Sequence, residues 1–147
     1  MINKDGLRQQ LVHELERQRQ NALWAADNAH NAATHEESKA ETQYDTIGLE
    51  AAYLAHGQSQ RVADCESAIL RLKALVLREF TEDDEIDIGA IVTLSQGLRL
   101  WLLPVAGGEK LLNDIVVVTP ASPLGTKLMG AYVEEALDDG RQICAIE

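Results

Sequence analysis

Aromatic residues make up only 4 % of this 147-residue chain, as three Tyr, two Trp and one Phe. A platform that binds single-stranded nucleic acid by stacking its bases needs more rings than that. Positive charge is also scarce: 13 Lys and Arg stand against 24 Asp and Glu, a net of -11. The deficit is uneven, with residues 1–80 carrying 9 against 12 (net -3) and residues 81–147 carrying 4 against 12 (net -8). Phosphate neutralisation supplies most of the affinity for DNA or RNA, so autonomous binding to either is not expected. A basic protein surface or a metal-rich site suits this charge better. No apolar run approaches the ~20 residues that span a bilayer. The start, Met1-Ile2-Asn3-Lys4-Asp5, leads directly into a polar amphipathic pattern, not a secretory leader, which points to the cytoplasm. Cysteine is nearly absent. Cys65 and Cys144 lie in different pattern contexts, and reduced thiols are the expectation.

What is present is helical periodicity in the first half. Asn3 or Asp5 supplies a cap for a first helix. Its stripe runs Leu7, Leu11, Leu15, Gln18, Ala22, Ala25 and Ala29, and no Gly or Pro interrupts residues 7–42. The steps alternate between three and four, as a single helix face requires. A second stripe runs Ile47, Ala51, Leu54, Gln58, Val62, Cys65, Ile69, Leu72 and Val76, predicting a helix to about Phe80. Pairing Ala29 with Ile47, Ala22 with Leu54, Gln18 with Gln58 and Leu7 with Ile69 sets large residues against small ones. That is an antiparallel coiled coil whose symmetry point is Ser38. Leu72 and Val76 have no partner on the first helix and are expected to pack on the C-terminal half of the chain. A helix from Ser38 to Phe80 would be on the order of 60 Å long.

Residues 81–87, which include Glu82, Asp83, Asp84 and Glu85, read as an acidic linker, after which the period becomes strand-like. Strands are expected over 88–95, 98–105, 114–119, 132–136 and 142–146, with a short helix opening near Pro123 and closing at Gly130. The chain is therefore read as α+β. A helical hairpin over 1–80, with its tip near Ser38, precedes a small antiparallel β domain over 88–147 with one short helix.

Two segments carry a resemblance. One is Ile88-Gly89-Ala90-Ile91-Val92-Thr93-Leu94; the other is Val118-Thr119-Pro120-Ala121-Ser122-Pro123-Leu124-Gly125, followed by Met129-Gly130. With them the chain resembles the Gre family of bacterial transcript cleavage factors over both halves. The resemblance implies an FKBP-like C-terminal domain that docks at the mouth of the RNA polymerase secondary channel, here through Ser122, Pro123, Leu124 and Gly125. It implies a coiled-coil hairpin inside the channel, where two tip acids help the polymerase hold a catalytic Mg²⁺ and a water. The nascent RNA 3′ end is then an indirect partner, and the ion is shared with the polymerase, not held by this chain alone. Family tips read approximately Gly-Asp-Leu-x-Glu-Asn-x-Glu-Tyr. Aligned on Tyr44, the two acids fall at Glu37 and Ala40, with Glu41 one residue later and Glu36 beside the first.

The residues themselves admit plainer readings. Glu37 follows Thr34 by three, and Glu41 follows Ser38 by three, so either pair fits a capping box at the start of the second helix. His35 is placed to transfer a proton near neutral pH, or is simply exposed. Lys39 at the apex either touches phosphate or is solvated. His13, His30 and His56 are scattered without ligand spacing, and Arg8, Arg17, Arg19 and Arg61 alternate with acids like ordinary coiled-coil surface charge. The leading expectation is a regulator of RNA polymerase that is not itself an enzyme and that stimulates cleavage of backtracked RNA. The alternatives are a channel-binding regulator that does not cleave and a generic coiled-coil adaptor. A peptidyl-prolyl isomerase is disfavoured, because Trp101 and Tyr132 are the only aromatics after Phe80 and cannot line a proline pocket.

Overall fold

Among the described residues the α-helices and β-strands follow in the order α1 (Lys4–Lys39), α2 (Ile47–Ala74), β1 (Ile91–Leu94), β2 (Arg99–Leu102), β3 (Ile115–Val118), α3 (Pro123–Leu128) and β4 (Ile143–Ile146). The computed structural model describes residues 2–39 and 47–147, with 33–39, 47, 48, 50 and 51 described as backbone alone. The chain divides into two compact units. One is Val12–Leu70; the other joins Met1–Leu11 to Arg71–Glu147. The expected partition at 80 and 88 is not the one that packing produces.

In the helical unit, α1 buries Leu15, Ala22, Ala26 and Ala29. From α2, Ala52, Ala55, Val62 and Cys65 are half-buried, and Ile69 is buried. Two positions differ from the expected stripes: Ala26 takes the place of Ala25, and Ala55 that of Leu54, which is 56 % exposed. The register differs more. Reversal about Ser38 would set Arg19 beside Gly57, yet Arg19 Nε donates to Glu66 Oε1 at 2.9 Å, about two and a half turns further along α2. The midpoint of that pair falls between residues 42 and 43, outside the described residues. The reason is direct: α1 continues through Lys39, so the chain has not turned at Ser38. Stripes of small residues fit one another in several offsets and do not choose among them.

The second unit begins with the helix start. Asn3 Oδ1 accepts from Gly6 N at 3.0 Å, which satisfies one of the free amides of the first turn. Leu7, Leu11 and Leu72 are buried. Helix α2 stops at Ala74, short of the expected Phe80, because its last carbonyls are claimed by Arg8. The guanidinium donates to Leu75 O at 2.6 Å and to Leu72 O at 3.3 Å. Val76 consequently points to solvent, 85 % exposed, and does not pack as expected. Residues 81–87 are more than a linker. Asp84 caps the turn through Thr81 N at 2.8 Å, and Ile86 is buried between two backbone bonds, its N to Ala131 O and its O from Gly130 N, each 2.8 Å.

The sheet has the order β3-β2-β1-β4. Strand β1 is antiparallel to β2 and β4, but β3 is parallel to β2, so the sheet is mixed where the pattern predicts an antiparallel one. After β2 the chain turns back, and residues 109–111 pair antiparallel with β3 through Leu111 N to Ile115 O and Val117 N to Glu109 O. That extra ribbon inverts β3. Its tight turn uses Asn113 and Asp114 at positive φ. No strand forms at 132–136. Glu134 adopts a φ of 77°, leaving a single bridge between Ala136 and Gln142. Trp101 is fully buried, and its indole N–H donates to Gly89 O at 3.1 Å.

Candidate functional site

Helix α1 carries His35, Glu36, Glu37, Ser38 and Lys39 as its last residues. Consecutive residues on a helix are set about 100° apart around the axis, so Glu36 and Glu37 occupy adjoining positions, not one shared face. Glu41 and Ala40 lie outside the described residues. Thr34 and Ser38 both belong to α1, so neither stands as a cap ahead of a second helix. Among the described residues no three His, Cys, Asp or Glu side chains gather closely enough to hold a metal ion.

The charges along the helices serve the helices. Arg17 pairs with Glu14 at 2.5 Å, and hydrogen bonds from Arg17 and then Gln18 hold the Glu14 carboxyl at about 2, well below the usual range. Arg19 pairs with Glu66, and Arg8 caps α2. Trp24 turns outward, 69 % exposed. His30 and His56, which sequence spacing left unrelated, line one shallow cleft across the two helices with Asp27.

In the other unit, Ser122, Pro123, Leu124 and Gly125 form the start of α3. Ser122 Oγ accepts from Gly125 N at 3.0 Å and donates to Thr119 O at 2.7 Å. Pro123 occupies the first helical position, where its missing N–H costs nothing. Gly125 is obligatory: a Cβ there would sit 1.8 Å from the Thr119 carbonyl oxygen. The motif is thus explained by folding, and only Pro123 and half-buried Leu124 offer apolar surface to a partner.

One further feature had no local sequence signal. Lys4 and Arg78 flank the Phe80 ring, the ammonium 4.7 Å and the guanidinium 3.8 Å from its centroid. They line a groove of about 570 Å³ with Asp5, Glu79 and Glu147. Lys4 Nζ also donates to Arg78 O at 3.0 Å, a contact spanning 74 residues that no periodicity could announce.

Comparison with solved structures finds likeness over nearly the whole chain. GreA factor homolog 1 (Gfh1) of Thermus thermophilus is 24 % identical, with 95 % of this chain and 94 % of that one covered at a TM-score of 0.33. A second structure, of the transcription factor Gfh1, gives 25 % identity, coverage of 96 % and 93 %, and 0.34. Gfh1 of Thermus aquaticus gives 25 %, 97 % and 95 %, and 0.35. The superpositions are loose, and no residue's role follows from them. No protein-family model and no curated relative matches the chain.

Proposed function

We propose that this chain binds bacterial RNA polymerase through the secondary channel and modulates elongation there. The observation that carries the reading is the pair Glu36 and Glu37 on a helix that runs unbroken from Lys4 to Lys39, roughly 50 Å along its axis from the start. Acids carried so far along one long helix suit delivery of negative charge to another molecule's site. The Ser122–Gly125 turn supports the same reading, being the most specific part of the resemblance to transcript cleavage factors, with Pro123 and Leu124 as its docking surface. In the proposed role Glu36, Glu37 and Glu41 assist a Mg²⁺ that belongs to the polymerase. Mg²⁺ commonly takes only one or two protein carboxylates and fills its remaining positions with water and substrate. The protein then works as a cytoplasmic regulator, stimulating the polymerase's own cleavage of backtracked RNA, with no cofactor of its own.

Ala40, aligned with the second family acid, favours a second reading in which the chain occupies the channel without promoting cleavage. Backtracked elongation complexes separate the two. With the purified protein, shortened RNA is expected, and Glu36→Ala/Glu37→Ala/Glu41→Ala should abolish the shortening while polymerase binding persists. Altered transcription without shortened RNA would select the second reading. Absence of polymerase binding at micromolar concentration would overturn both and leave a coiled-coil adaptor with another partner.

A further inference from the structure

The shallow cleft between α1 and α2 gathers side chains that the polymerase reading leaves unused. His30 of α1 and His56 of α2 both line it and are exposed to solvent. Asp27, three residues before His30, lines it as well, and no Lys or Arg does so among the described residues. The register sets the two imidazoles at one level. Arg19 meets Glu66 across the helix pair at 2.9 Å, and in that register Ala55 lies opposite His30, with His56 the next residue. Ala29 is buried and Ala55 half-buried, so both face inward. Each histidine therefore follows an inward-facing alanine, about 100° further round its helix. Sharing the cleft, the two turn to the same flank. The neighbouring layers carry Ala22, Ala26 and Ala52. Small contact residues hold helix axes toward the short end of about 8–10 Å, a gap that two imidazoles span through one shared ion.

We propose that His30 and His56 chelate one divalent transition-metal ion, of the class Zn²⁺, Ni²⁺ or Cu²⁺, and so staple α1 to α2. Imidazole nitrogen suits these ions, whereas Mg²⁺ and Ca²⁺ take oxygen ligands. Among the described residues no set of three His, Cys, Asp or Glu side chains forms a full ligand cage. The site therefore has two protein ligands, and water completes the coordination, with the Asp27 carboxyl group as an acceptor for that water. Such an open site exchanges its ion with solution and is not a closed structural centre. An ion that needs both imidazoles binds the closed hairpin and not the separated helices, so it stabilises the closed form as it fills. The helical unit closes largely on small residues, so a bond across it adds most there. This inference is independent of the polymerase reading, since the cleft involves neither Glu36, Glu37 and Glu41 nor the Ser122–Gly125 turn.

Calorimetric titration of the intact chain with NiCl₂ and ZnCl₂, with MgCl₂ as the negative arm, tests the site. One transition-metal ion per chain is expected. His30→Ala and His56→Ala should each weaken binding at least tenfold, because a lone imidazole no longer chelates, while His13→Ala and His35→Ala should stay within twofold of the parent. Both histidines of the pair are exposed, so the metal-free variants should keep the parent's circular dichroism. Saturating Ni²⁺ should raise the urea midpoint of the helical signal in the parent and in His13→Ala, but not in His56→Ala. A measurement without variants is the proton spectrum of the parent, in which Zn²⁺ should shift the ring signals of two of the four histidines. No binding, binding lost with His13→Ala or His35→Ala instead, or ring shifts at a single histidine would each overturn the proposal. So would a metal-dependent rise in sedimentation rate that His30→Ala abolishes, since the ion would then join two chains.

Discussion

Gly125 is where a single atom decides most. Its Cβ position overlaps the Thr119 carbonyl oxygen, a backbone atom that cannot swing away. Gly125→Ala must therefore push α3 off the end of β3, breaking the Ser122 cap and disturbing Leu128, which is fully buried. Overpacking of this kind costs about 3 kcal/mol, and a fall in thermal midpoint for Gly125→Ala, much larger than for Gly130→Ala, would be the expected record. Gly130, unlike Gly125, has positive φ, but no atom lies within 4 Å of its Cβ position. A Gly125→Ala protein as stable as the parent would show that the turn relaxes freely.

Helix α2 ends because of a residue far away in sequence. Arg8 contributes two charge-assisted hydrogen bonds to the Leu72 and Leu75 carbonyls, each worth roughly 1.5–3 kcal/mol when a partner is charged. Arg8→Ala should fray the last turn of α2, seen as faster amide exchange at residues 72–75 with α1 unaffected beyond Leu11. Exchange unchanged at those amides would mean that water replaces the guanidinium without loss. This pair also marks the limit of what the sequence discloses. The Asn3 cap, the long course of α1 and the Ser-Pro start of α3 are local matters of spacing and residue type, and all were legible. The end of α2, the Arg19–Glu66 register and the parallel β3 depend on partners tens of residues apart, or on left-handed residues such as Glu134 that ordinary propensity disfavours. The acids of the candidate site were legible as a cluster. That Glu36 and Glu37 belong to α1 followed only once the helix was seen to pass Ser38.

The two units of the molecule differ in how they are held. Val12–Leu70 closes on alanines and half-buried small residues, whereas the other unit buries Trp101, Leu102, Ile115 and Ile143 almost completely. Buried apolar area stabilises at about 25 cal/mol per Å², so the helical unit is the weaker. Heating or urea should unfold it first. In a Trp24→Phe protein the remaining indole, Trp101, reports the sheet, and helical circular dichroism should decline at lower denaturant than Trp101 fluorescence. Coincident curves would show one cooperative unit instead of two.

The discontinuity of the second unit bears on how the protein is made. Residues 1–11 leave the ribosome well before their packing partners, which begin at Arg71 and include Glu147 at the groove. Strand β4, which pairs with one edge of β1, is synthesised after β1, β2 and β3. The hairpin between these segments has its partners in hand as soon as Leu70 emerges, so it can form during translation. The first turns of α1 must wait for the rest. A nascent chain halted before residue 143 would carry a formed hairpin while β1 still exposed an unpaired edge to any neighbouring strand.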